Sequence, residues 1–293
     1  MKSRSLLHFT CFAVLIFGAA ALYATPVFVA NAAPFDSWGD ACVVHEAGGT
    51  SNSPIGANIS CAGSGTNASG LAFAGTGEVG ASAASFNFTG TSLPARGSAD
   101  ASYSDFVTFH SSNPNATSVV TTMFVDAKAL LAAGGEFGVA GVTFTADLDR
   151  TIVTSFSVSL DTDGNLVCNG TVGMAPACSS TFNSRLLGIN VLVPLDTPVD
   201  FSLSVAALAL SSEGFFSATS ASADAAHTLT LPLDGPVFDL PDGFTANSAD
   251  SFIVNNRFVP PGGNGTVPEP SSLMLIGTGL VGVAKVFRRK SGK

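Results

Sequence analysis

TSFSVSL (residues 154–160) and DFSLSV (residues 200–205) decide the fold class. In each, apolar residues alternate with small polar ones, so Phe156, Val158 and Leu160 share one side of an extended chain, as do Phe201, Leu203 and Val205. A strand with one buried and one wet face reads this way. The pattern returns in LAFAG, SFNFTG, DFVTFH, SVVTTMFVDA, FGVAGVTFTADL, HTLTLPL and SFIVNNRFV, with Gly, Asn, Asp and Pro between them. Short strands spaced at roughly ten residues predict antiparallel sheets packed as an all-β sandwich or jelly roll. Only DAKALLAAGG (residues 126–135) reads as a helix, of about two turns. GGTSNSPIGANISCAGSGTNASG (residues 48–70) is nearly all small and polar and reads as a long surface loop. PLDTPV (194–199) and PLDGPV (232–237) look alike, and Pro-Leu-Asp-x-Pro is turn chemistry whether or not it marks a repeat.

Composition sets the limits around these strands. The chain has 293 residues, 46% of them hydrophobic and only 11% charged, with 31 Gly and 15 Pro. That is apolar enough for a core and rich in turn formers. The net charge of −9 conceals a segregation. Between residues 33 and 267 only Arg96, Lys128, Arg150, Arg185 and Arg257 stand against 20 acidic residues. Nucleic acid is excluded as a partner on this ground, because neutralising phosphates needs clustered Lys and Arg.

The amino terminus, MKSRSLLHFTCFAVLIFGAAALYATPVFVANAAPFD, has a basic start, an apolar stretch and small residues at its exit. Ala30 and Ala32 fit the A-x-A spacing, which places cleavage of a secretory leader after Ala32, with Ala33 as the alternative. Cys11 leaves with the leader, and Cys42, Cys61, Cys168 and Cys178 remain as an even set for an oxidising compartment. Their grouping favours Cys42–Cys61 and Cys168–Cys178 among three connectivities. A zinc site is not favoured, since C-x-x-C and a histidine pair are missing.

At the other end, Ser271 to Phe287 is a 17-residue stretch, apolar apart from Ser, Thr, Gly and Lys285. It is long enough for a transmembrane helix across a thin bilayer. Arg288, Arg289 and Lys290 follow and would stay cytoplasmic, leaving the body outside. Before the run stand Pro268, Glu269 and Pro270, whose two prolines impose an extended segment at the membrane face. VPEPSSLMLIGTGLVGVAKVFRRK (residues 267–290) resembles the PEP-CTERM sorting signal of Gram-negative bacteria that make exopolysaccharide. The likeness covers about 25 residues, with triplet, spanning run and basic tail in the family's order. It implies as partners the secretion machinery, the membrane, and exosortase, a membrane cysteine peptidase that cuts near the triplet. It also implies delivery through an inner-membrane intermediate to the cell surface or an exopolysaccharide matrix. It gives an address and no activity.

The passenger offers little chemistry of its own. Its histidines are His45, His110 and His227, and the sequence contains no G-x-S-x-G, H-E-x-x-H, S-x-x-K or phosphate loop. No cofactor is expected. Asp161, Asp163 and Asn165 resemble the first half of a calcium loop. Gly164 comes too early for that loop, and Asp-Gly between two strand-like runs predicts a hairpin turn, with calcium as the alternative. Sugar-stacking platforms use exposed Trp and Tyr, and after the leader only Trp38 and Tyr103 remain. The sequence therefore divides into a leader (1–32), a sandwich passenger of one large or two small units (33–266) and a sorting segment (267–293). The expected function is that of a non-enzymatic exported surface or matrix protein. The alternatives are a carbohydrate-binding module and an exported hydrolase.

Overall fold

The computed structural model describes residues 27–32, 35–36, 45–50, 54–62, 66–88, 94–171, 177–212, 218–248 and 252–260. Nineteen strands lie there, and no helix does. The first half holds β1 (Val27–Ala32), β2 (Phe35–Asp36), β3 (His45–Thr50), β4 (Ile55–Ala62), β5 (Thr66–Gly75), β6 (Glu78–Asn87), β7 (Ala95–Ser111), β8 (Ser118–Thr121) and β9 (Phe124–Gly134). The second holds β10 (Gly138–Leu148), β11 (Thr151–Asp161), β12 (Leu166–Thr171), β13 (Thr181–Leu187), β14 (Val191–Pro194), β15 (Pro198–Ser211) and β16 (Thr219–Thr230). Three short strands close the series, β17 (Phe244–Ser248), β18 (Ile253–Val254) and β19 (Arg257–Phe258).

Two antiparallel sheets enclose one core. The larger runs β12-β11-β10-β15-β7-β1-β3, with β2 and β17 also on β7, and the smaller runs β13-β9-β16-β6-β5-β4. Alternation holds as the sequence predicts: Phe156, Val158, Phe201, Leu203 and Val205 are buried, and the serines between them are not. The buried cluster extends from Ala57 to Phe258 and draws on both sheets, so the two share one core.

Its two ends differ in thickness. At one, the facing surfaces are alanine: Ala72, Ala81, Ala83 and Ala223 on the small sheet, Ala99, Ala101 and Ala207 on the large one. Backbones meet closely there, and a Cβ on Gly97 of β7 would overlap the carbonyl oxygens of Ala84 and Ser69 across the gap. At the other, rings fill the space. Phe182 of β13 stacks on Phe156 of β11 with centroids 5.0 Å apart, and Phe109 meets Phe238 edge-on at 5.0 Å.

Three expectations need correction or qualification. DAKALLAAGG is strand β9, not helix. Val125, Ala127, Ala129 and Leu131 face the core while Lys128, Leu130 and Ala132 face out, and β16 and β13 pair on either side. Flanking strands outweigh the helix propensity of Ala and Leu. Residues 48–70 are not a long loop, because β4 and β5 form a hairpin within them. Their inward residues, Ala57 and Ala68, are small because the sheets approach closely. Lastly, Val27–Ala32, read as part of the leader, forms strand β1 between β7 and β3.

The two Pro-Leu-Asp-x-Pro stretches are bends that are not copies of each other. The left-handed residue is Asp196 (φ 55°) in the first and Gly235 (φ 110°) in the second. Leu195 is buried whereas Leu233 is exposed. Asp196 donates its backbone N–H to Phe109 O (2.8 Å), whereas in the second bend the carbonyl of Asp234 receives Arg185 Nη1 (3.1 Å).

Candidate functional site

Asp161 ends β11, and the four residues after it turn the chain into β12. The turn is built on its carboxylate. Oδ1 accepts the N–H groups of Asp163 (3.0 Å) and Asn165 (2.9 Å), and Oδ2 accepts Asn165 Nδ2 (2.9 Å). Gly164 supplies the left-handed φ of 80°. These bonds hold the Asp161 carboxyl below the usual aspartate range, the side-chain amide of Asn165 contributing most. Asp161, Asp163 and Asn165 thus form a hairpin turn, and among the described residues no cluster of three His, Cys, Asp or Glu side chains could hold a metal.

Tyr103 overturns its expectation outright. Its side chain is fully buried, its ring edge-on to Phe201 at 5.8 Å, and its hydroxyl donates to Asp105 Oδ2 (3.2 Å). Asp105 is buried too and also accepts the Phe106 N–H (2.7 Å). A ring in that position has no face for a sugar. Position along β7 explains it, because odd-numbered residues from Ala95 to Phe109 point inward. Trp38 lies outside the described residues.

The cysteines resolve in part. Cys168 on β12 is bonded to Cys178, ten residues on, just before β13. β12 is the edge of the large sheet and β13 the edge of the small one, so the bridge closes one side of the sandwich. Cys61 lies in β4, and Cys42 is outside the described residues.

Sequence reading missed two side-chain pairs. His110 Nδ1 lies 2.7 Å from Asp196 Oδ1 on the surface, where β7 meets the first Pro-Leu-Asp bend. Histidine and carboxylate are two members of a hydrolytic triad. Among the described residues, however, no serine or cysteine bonds the ring. Arg185 of β13 grips Asp126 of β9 with Nε (2.7 Å) and Nη2 (3.1 Å), the two residues standing directly opposite in the ladder. The Asp126 bond holds the guanidinium above its ordinary range. Partners 86 and 59 residues apart leave no local signal to read. A groove of about 450 Å³ beside Ser60, Asn67, Ser69 and Phe86 carries no titratable side chain.

No described cluster assembles a nucleophile, a base and a binding cleft, which leaves the C-terminal segment. Pro268, Glu269, Pro270, the run Ser271 to Phe287 and the tail Arg288, Arg289 and Lys290 all lie outside the described residues. Among the described residues no helix is long and apolar enough to cross a membrane. A family model for the PEP-CTERM protein-sorting motif matches residues 266–290. The chain carries a PEP-CTERM sorting motif. Such a motif implies an exported protein targeted to exosortase, passing through a membrane-anchored intermediate. No curated protein matches the chain.

Proposed function

We propose that this chain is a non-enzymatic passenger, exported by a cleaved leader, held by a helix over 271–287 and passed by exosortase to the cell surface or an exopolysaccharide matrix. The PEP-CTERM motif at residues 266–290 carries this reading. Three features are consistent with it. An acidic, Ser/Thr-faced sandwich resists non-specific collapse onto itself. The Cys168–Cys178 bridge suits an oxidising compartment. The run 271–287 ends in Arg288-Arg289-Lys290, a stop signal on the cytoplasmic side. Sugar stacking by Tyr103 has no place in it, since that ring is in the core.

Intact masses of the protein from membrane and extracellular fractions of its native host test the reading. Extracellular chains ending near Pro270, with longer membrane-bound chains as precursors, are expected. If every molecule retains Arg288-Arg289-Lys290 in the membrane, release by exosortase is wrong and a plain tail anchor replaces it.

A further inference from the structure

Strand β7 is covered along most of one edge by β15, from Ala95 to Thr108 in continuous register. Its other edge is tiled by three short pieces: β2 on Ala95 and Arg96, β1 on Ala99 to Ser104, and β17 on Val107 to Ser111. The first two are one ladder. Val27 stands opposite Ser104, Ala32 opposite Ala99, Phe35 opposite Arg96 and Asp36 opposite Ala95, so β1 and β2 share one register on β7. The cleavage after Ala32 that A-x-A spacing suggests therefore falls between two strands that share one register on β7. A chain cut there would lose β1, open the edge of β7 between β2 and β17, and leave β3 without its one strand partner among the described residues. Buried ladder groups left open in this way are costly.

We infer that the leader ends before β1, at Ala19-Ala20-Ala21, and that the mature chain starts at Leu22 and keeps Val27–Ala32 as a working strand. The upstream sequence fits such a leader closely. Lys2 and Arg4 form the basic start, Leu6 to Phe17 an apolar core of 12 residues, and Ala19 and Ala21 the small pair at A-x-A spacing immediately after it. An exit at Ala32 instead leaves 15 residues between Phe17 and the cut, including Tyr23, Pro26 and Phe28, much longer than the small-residue exit of a leader. In the ladder Ala30 and Ala32 stand opposite Ala101 and Ala99 of β7, so both belong to strand β1.

This inference rests on the export reading above, and one experiment separates the two. Full-length protein produced in its native host is purified from membrane and extracellular fractions, and its N-terminal peptide is sequenced by mass spectrometry. A peptide beginning LYATPV is expected, and any start from Leu22 to Val27 leaves β1 whole and supports the inference. A start at Ala33 or Pro34 overturns it and leaves export intact. Chains that all begin at Met1 overturn both.

Discussion

Replacing Cys168 and Cys178 together by serine removes the bridge that ties β12, the edge of one sheet, to the segment leading into β13, the edge of the other. The half-cystines are ten residues apart. The chain-entropy relation for a loop of that size gives about 2.7 kcal/mol of stabilisation at 25 °C. Little packing is lost with it, because Cys178 is exposed and Cys168 only half-buried. With a urea m-value of about 2–3 kcal/mol/M for a body of this size, the midpoint of unfolding should fall by about 1 M. Wild-type protein unfolded with reductant present should show at least that shift, read by circular dichroism. The loss should also be local. β12 pairs with β11 alone and its residues are mostly exposed, so its amides should lose hydrogen-exchange protection before those of β15 or β7. A midpoint lowered by less than about 0.3 M at constant m would refute the entropic account. Equal loss of protection in β12 and β15 would refute the local one.

Three further outcomes follow from backbone and charge. Gly97→Ala drives a methyl into the carbonyls of Ala84 and Ser69 and should cost at least about 2 kcal/mol, seen as a Tm lower by about 4–8 °C. Arg150 sits in the β10–β11 turn at φ 61°, and its 3.7 Å approach to Asp200 is solvent-exposed. Arg150→Gly should therefore stabilise the protein by about 1 kcal/mol, measured as a raised urea midpoint. Asp161 has a lowered pKa in the folded state, so its turn contributes stability that is present above the ordinary aspartate value and lost as pH falls through the folded one. Exchange of the Asn165 amide followed down the pH scale should accelerate in that acid window for the wild type and show no such step in Asp161→Asn.

How much could be read beforehand depended on what each residue's neighbours were. Phe156, Leu203 and the serines beside them announce strands because large and small polar residues alternate, and both placements are as the pattern demands. β4, the first half of β5 and most of β9 were hidden for a common reason. Where the sheets approach closely, the inward residue is Ala or Gly, and Ala57, Ala68, Ala127 and Ala129 carry too little hydrophobic contrast to separate a strand from a loop or a helix. Tyr103 looked like a binding residue by type alone, and only its odd position along β7 assigns it to the core. The Asp161 turn was legible from Asp-Gly chemistry, all its bonds being local. His110–Asp196 and Arg185–Asp126 depend on which strands become neighbours, which single-chain patterns do not encode. The sorting motif is read from residue order, and it matches at 266–290 without any appeal to tertiary structure.

The alanine-lined end carries a cost in fidelity. When inward residues are nearly identical, sliding β5 along β6 by two positions sets Ala against Ala once more, and packing alone scarcely resists the error. Two clamps resist it instead. Gly77, at φ 66°, fixes a two-residue turn between Gly75 and Glu78, which sets the count at one end. At the far end Thr66 and Asn87 are both buried and directly opposite, so a slipped ladder would strand an amide among methyl groups. Misaligned folding in this protein is thus opposed by a handful of polar atoms, and substitutions at Asn87 should yield protein that is homogeneous in mass yet heterogeneous in strand alignment.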